Sequence, residues 1–175
     1  MSRNPLFESG WEDPGEKGER LSIVQFPTFH IQRLAGYAKA SVSRRYLEPF
    51  GLSLPEWRLL TLIAETSPVT FADITARTLM DKGQVSRTLR SLQRRGLVEV
   101  GPAVERKVAG KGAGVNPRVI VTMLPPGRAL FEQILPVARE HQARLISLLS
   151  PEERHTFLTV VERLMNFLAE DSRKP

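Results

Sequence analysis

The chain has 175 residues, 25 Lys and Arg against 19 Asp and Glu, and no cysteine. That length suits one domain with extensions and a real core, and the missing thiols exclude disulfides, thiol redox sensing and cysteine-ligated zinc. Five acids and three bases fall in the first twenty residues, so the excess behind the net charge of +6 belongs to the remainder; with no long apolar run or apolar signal core, the chain reads as cytoplasmic, with no membrane partner.

Residues 1–25, with Pro, Gly, charges and isolated Phe7 and Trp11, read as a flexible N-terminal arm. Residues 26–52 read as an N-terminal dimerisation helix. From Phe29 to about Leu47, one side carries Ile31, Leu34, Ala35, Ala38 and Val42. Glu48-Pro49-Phe50-Gly51 ends it, because proline disfavours helix in the residue before it and glycine permits a left-handed turn. Ser53-Leu54-Pro55-Glu56 is a capping box with proline in the first turn, opening a helix that carries Trp57, Leu60 and Ala64.

Thr70-Phe71-Ala72-Asp73 predicts a second box: the Thr70 hydroxyl accepts from the Asp73 amide, and Asp73 reaches back, starting a short helix that ends near Thr78. Asp81 then caps a further helix. In it Val85, Leu89, Leu92 and Gly96 recur at i, i+4, i+7 and i+11 as one buried stripe. Arg87, Arg90 and Arg94 fall on the opposite side, with Gln84 and Ser86 beside them. Leu97 to Val100 reads as a strand, followed by a glycine-rich basic tip with Arg106, Lys107 and Lys111, and Val119 to Met123 as a second strand. From Lys82 to Arg118 there are nine Lys and Arg against two acids, Glu99 and Glu105.

Pro125-Pro126-Gly127-Arg128 precedes a long helix, about Arg128 to Leu149, which Pro136 should kink. Ser150-Pro151-Glu152-Glu153 is another helix start. In the last helix Phe157, Val161, Leu164 and Leu168 repeat at spacings of 4, 3 and 4, a narrow coiled-coil-like dimerisation seam.

The fold class is therefore mainly α with a small β-wing. Residues 53–124 form a winged helix-turn-helix DNA-binding domain, residues 125–170 are C-terminal dimerisation helices, and 171–175 are a tail. Such a head predicts double-stranded DNA as partner, and a homodimer predicts a palindromic operator. Arginine reads guanine bidentately and glutamine reads adenine. Gln84, Ser86, Arg87 and Arg90 are thus candidates for base edges or nearby phosphates. Lys82, Arg94 and Arg95 are candidates for the backbone. Two other readings stay open: a sequence-indifferent architectural DNA binder, and a helical ligand-binding or enzymatic dimer with merely solvated arginines.

No catalytic constellation is visible, and the chain does not read as an enzyme. Ala109 to Gly114 lacks the Ser or Thr after Lys111 and the following helix that a phosphate loop needs. His30, His141 and His155 have no metal-ligand spacing. No cofactor or metal is expected. An effector cavity would lie where the first, Trp57 and long helices meet, with Phe29, His30, Arg33, Tyr37 and Trp57 as candidates: aromatics for a ring, Arg or His for a carboxylate.

Leu54-Pro55-Glu56-Trp57-Arg58, Asp81 to Arg87, Leu92 to Val98, Pro125 to Arg128 and Leu149 to Glu153, in this order, resemble the multiple-antibiotic-resistance-regulator (MarR) family of bacterial winged-helix repressors over about residues 28–170. The resemblance implies an obligate dimer with interlocked terminal helices. It also implies a signal that alters the spacing of two reading heads, a phenolic or aromatic acid or its coenzyme A thioester fitting best. The family wing commonly carries Asp-x-Arg before its second strand; here Gly114-Val115-Asn116-Pro117-Arg118 lacks the aspartate. Insertion into the minor groove by Arg118, or by Arg106 and Lys107 from the tip, is the corresponding expectation.

Overall fold

The computed structural model describes residues 11, 13–78, 80–102 and 119–172. Arg106, Lys107 and Arg118 lie outside the described residues. The helices are α1 (Pro27–Val42), α2 (Leu54–Thr66), α3 (Phe71–Arg77), α4 (Lys82–Arg94), α5 (Pro125–Ile146) and α6 (Pro151–Asp171). The strands are β1 (Val69–Thr70), β2 (Val98–Pro102) and β3 (Val119–Met123), in the antiparallel order β1-β3-β2.

The helix starts are made by the residues whose chemistry predicts them. The Ser53, Thr70, Asp81 and Ser150 side chains accept from the amides of Glu56, Asp73, Gln84 and Glu153. Each satisfies an amide that the first helical turn leaves unpaired. One detail differs from expectation. At α3 the Thr70 hydroxyl donates to the Asp73 carboxylate at 2.6 Å, and Thr70 itself pairs with Ile120 in the sheet, so the reciprocal half of the box is not made. Proline also marks an earlier start than expected for α5: Pro125 and Pro126 are its first two residues, where a missing N–H costs no hydrogen bond. The helix then runs through Pro136 to Ile146, so that proline does not end it.

Strand β1 is not visible in the sequence pattern. Its two residues gain strand character only by pairing across the fold, Val69 with Val121 and Thr70 with Ile120. Val121 sits in the middle strand opposite both Val69 and Val100, and is fully buried. Around it the core gathers Leu47, Leu59, Leu60, Ile63, Ile74, Val85, Leu92, Val98 and Ile134. This core belongs to the winged head, the end of the first helical segment and the first half of α5. Helices α1 and α6 bury no residue at all.

Two glycines set the joints around α4. Gly96, expected on the buried stripe, is instead exposed just past the helix at φ 67°. The Gly96 amide donates to Gln93 O at 2.9 Å and the Leu97 amide to Leu92 O at 3.0 Å. This six-to-one pattern turns the chain into β2 and needs a left-handed residue, which glycine supplies without steric cost. Gly127 is required for a different reason. A Cβ there would stand 2.1 Å from the Leu97 carbonyl oxygen and 2.7 Å from the Met123 sulfur. The carbonyl cannot easily retreat, because it accepts from the Leu124 amide at 3.1 Å. Gly127→Ala should therefore lower unfolding stability by about 2 kcal/mol or more. Thermal unfolding at wild-type temperature would show that α5 seats otherwise.

Candidate nucleic-acid interface

Helix α4 presents two unlike faces. Val85, Thr88, Leu89 and Leu92 are buried, and the Thr88 hydroxyl donates to Gln84 O at 2.8 Å, so its polarity is satisfied within the helix. Outward, Arg87, Arg90, Gln93 and Arg94 line a shallow groove of about 460 Å³. No acid lines it, so every charged group there is a cation. Gln93 was missed from the sequence, although its spacing of three from Arg90 puts it on that face.

The arginines are not equivalent. Arg87 is exposed and leans back over the start of α4, with its Nη1 3.3 Å from where a Cβ on Gly83 would stand. Among the described residues it has no hydrogen-bond or ion-pair partner. Arg90 folds onto its own helix, donating to Ser86 O at 3.3 Å and Ser86 Oγ at 3.4 Å. Lys82 is exposed in the first turn, while Gln84 and Ser86 are half-buried beside it, and Arg94 is exposed at the last helical position.

Arg95, expected at the DNA backbone, is exposed but has acceptors within the protein. Its guanidinium turns inward, donating to Gly51 O at 2.9 Å and Phe50 O at 3.4 Å, and lies 3.7 Å from Glu56 Oε1. Glu56 is the hub of this joint. Its Oε2 accepts from the Ser53 amide and hydroxyl, both at 2.8 Å, and its Oε1 accepts from the Ser91 hydroxyl at 2.8 Å. One nearly buried carboxylate thus fastens the start of α2 to the back of α4. Burial pushes the Glu56 carboxyl up, but the hydrogen bonds from Ser53 and Ser91 and the nearby Arg95 charge outweigh it, holding the group below the usual glutamate value.

The five expected effector residues fall into two groups. Trp57 is buried, stacked on Phe131 at 5.7 Å and edge-on to Tyr46 at 6.0 Å. Phe29, His30, Arg33 and Tyr37 lie along α1 and touch one another there. His30 meets Phe29 edge-on at 5.9 Å, and the Arg33 guanidinium sits 5.6 Å over the Phe29 ring and 3.5 Å from the Tyr37 hydroxyl. Trp11 also packs on His30, at 5.7 Å. Helical periodicity puts these α1 residues on neighbouring faces but cannot show that Trp57 packs into the core.

The expected dimerisation residues lie on α6, where Phe157 and Leu168 are exposed and Val161 and Leu164 half-buried. The apolar surface is wider than the narrow seam predicted. Leu158, Val160, Met165 and Phe167 are exposed too, covering about half the helix circumference at roughly 100° per residue. Among the described residues, no His and acid cluster could hold a metal ion, and no helix is long and apolar enough to cross a membrane.

A cationic helix on the outside of a helix-turn-helix, followed by strands β2 and β3, defines a winged-helix protein. Residues 50–107 match the model of the MarR family. None of the curated proteins matches the chain. Among solved structures, a probable transcriptional regulator from Pseudomonas aeruginosa is 25% identical, with TM-score 0.65 over 81% of this chain and 98% of its own. MepR of S. aureus in complex with DNA is 19% identical, with TM-score 0.71 over 84% of this chain and 99% of its own. BpsR of Bordetella bronchiseptica, whose DNA binding is regulated by 6-hydroxynicotinic acid, is 20% identical, with TM-score 0.66 over 83% and 98%. Residues 50–107, which carry α2, α3, α4 and β2, are thus similar to the MarR family, the resemblance that the motifs carry, and the chain shares the winged-helix fold of these solved structures.

Proposed function

We propose that the chain is a dimeric, sequence-specific DNA-binding transcription regulator, acting as a repressor that a small aromatic or phenolic acid, or its coenzyme A thioester, releases. The outward groove of Arg87, Arg90, Gln93 and Arg94 carries this reading. It carries three arginines and no acid, is donor-rich, and is mounted on a helix whose other face is buried in the core. That combination fits a major groove, where guanidinium and amide groups meet base edges and phosphates. Gln84, Ser86 and Lys82 at the helix start belong to the same contact. Arg118, or Arg106 and Lys107, reaches the adjacent minor groove from the wing.

Dimerisation completes the site, because a single head reads only half an operator. The unpartnered apolar surface supports it: Ile31, Leu34 and Tyr37 on α1, Leu145 and Ile146 at the end of α5, and the broad face of α6 are all exposed. Apolar area of this extent, left in water by α1 and α6, which bury no residue, and by the end of α5, favours a second copy. The domain limits 26–52 and 125–170 are assigned to that interface. Sedimentation equilibrium should give a dimer throughout the micromolar range; a monomer there would contradict this part of the reading.

Release by ligand follows as a population shift. A ligand that binds better to a dimer whose heads do not fit successive grooves lowers DNA affinity by that difference. The ligand-regulated relative BpsR supports this. An architectural binder would instead hold unrelated duplexes equally well, which competition between a selected operator and random DNA distinguishes.

A further inference from the structure

Gly83 is the second residue of α4 and is exposed. Glycine is a poor helix former, and the backbone here does not call for one, since Gly83 is not among the residues at positive φ. Its missing side chain matters instead. A Cβ on Gly83 would stand 3.1 Å from Asp81 Oδ1, 3.3 Å from Arg87 Nη1 and 4.0 Å from Arg87 Cζ. The Asp81 carboxylate is tied down, because it accepts from the Gln84 amide at 2.7 Å. The Arg87 guanidinium ends a long side chain and can be moved. The bare Cα of Gly83 thus leaves a ledge on which that guanidinium lies, one turn back from its own Cα. The Asp81 carboxylate beside the ledge attracts it and offsets the positive end of the helix, which repels a cation.

Arg90 supplies the contrast. It leans back over its own helix in the same way, but the residue four places before it is Ser86, whose Oγ accepts from Arg90 at 3.4 Å. Serine there occupies a donor, whereas glycine under Arg87 leaves all of its donors open. We infer that Gly83 is a positioning residue for DNA reading: by keeping the ledge clear, it selects which base pair Arg87 meets. This rests on the DNA-binding reading above and deepens it. A recognition helix meets base edges with its N-terminal residues. A guanidinium at the level of Gly83 stands nearer that end than the Arg87 Cα, by the rise of four residues, about 6 Å. Successive base pairs are about 3.4 Å apart, so a pose on the ledge and an extended pose reach different base pairs. A methyl at position 83 fills the ledge and leaves the extended pose.

A double-mutant cycle of Gly83→Ala, Arg87→Ala and the variant carrying both tests this. Each protein is titrated by anisotropy against an operator selected from random duplexes, and against duplexes changed at one base pair at a time. Gly83→Ala should unfold at or above the wild-type temperature, since alanine is the better helix former. It should nonetheless bind the operator at least fivefold more weakly and lose preference at the base pair that Arg87→Ala also releases. In the Arg87→Ala background the same methyl should change affinity less than twofold. Wild-type affinity and preference in Gly83→Ala would overturn the inference. So would an undiminished loss in the Arg87→Ala background, because the methyl would then be meeting the DNA itself. A Gly83→Ala protein that unfolds early would also overturn it, by showing that the methyl displaces the Asp81 cap and not the arginine. These three failures leave the DNA-binding reading standing, whereas a wild type that selects no sequence would overturn both.

Discussion

Arg87→Ala should weaken binding to a selected operator by about tenfold to a hundredfold per half-site and relax the choice at one base pair. A bidentate arginine contact to a base is worth roughly 1–3 kcal/mol of discrimination. Arg87 is the best placed of the α4 arginines, being exposed, near the helix start, and free of partners among the described residues. Arg90 must first leave its contacts with Ser86, so Arg90→Ala should cost less. Arg94→Ala should weaken all sequences alike and reduce the salt dependence. Anisotropy titrations of the three variants against operator and scrambled duplexes separate these outcomes. An Arg87→Ala protein with wild-type affinity and preference would remove α4 from the major groove.

Glu56→Ala should have the largest effect on stability, a loss of about 3 kcal/mol in denaturant unfolding. The substitution removes half of the α2 capping box, orphans the Ser91 hydroxyl and leaves Arg95 without its nearby anion. Because the folded-state pKa of Glu56 is lowered, its contribution is present above the ordinary glutamate range and is lost as pH falls through the lowered value. Wild-type stability should thus fall more steeply below about pH 5 than that of Glu56→Gln, which keeps the shape without the charge. Parallel pH curves for the two proteins would show that the carboxylate charge contributes nothing. DNA affinity of Glu56→Ala should fall for every sequence, since the joint sets where α4 stands, while its base preference stays.

Arg87 and Arg95 show how far the sequence could be read. The outward placement of Arg87 was legible because it depends on one helix: period, cap and buried stripe fix it without reference to the rest of the fold. The caps Ser53, Thr70, Asp81 and Ser150 were legible for the same reason, each bond spanning three residues. Arg95 was not. Its acceptors, Gly51 and Phe50, lie 44 and 45 residues away, and only tertiary packing brings them together. Strand β1 is two residues whose partner stands some fifty positions on, so no local alternation announces it. Gly96 was misplaced by extending a good helical period one step past its end, where a left-handed turn had already taken over.

The most direct test of the DNA-reading claim is selection of bound sequences from a random duplex pool, with purified protein at near-physiological salt. Recovery of a palindrome with half-sites about one helical turn apart is the predicted result. Bound DNA without a consensus would make the protein an architectural binder. Recovery of no DNA at all would contradict the reading of α4 altogether.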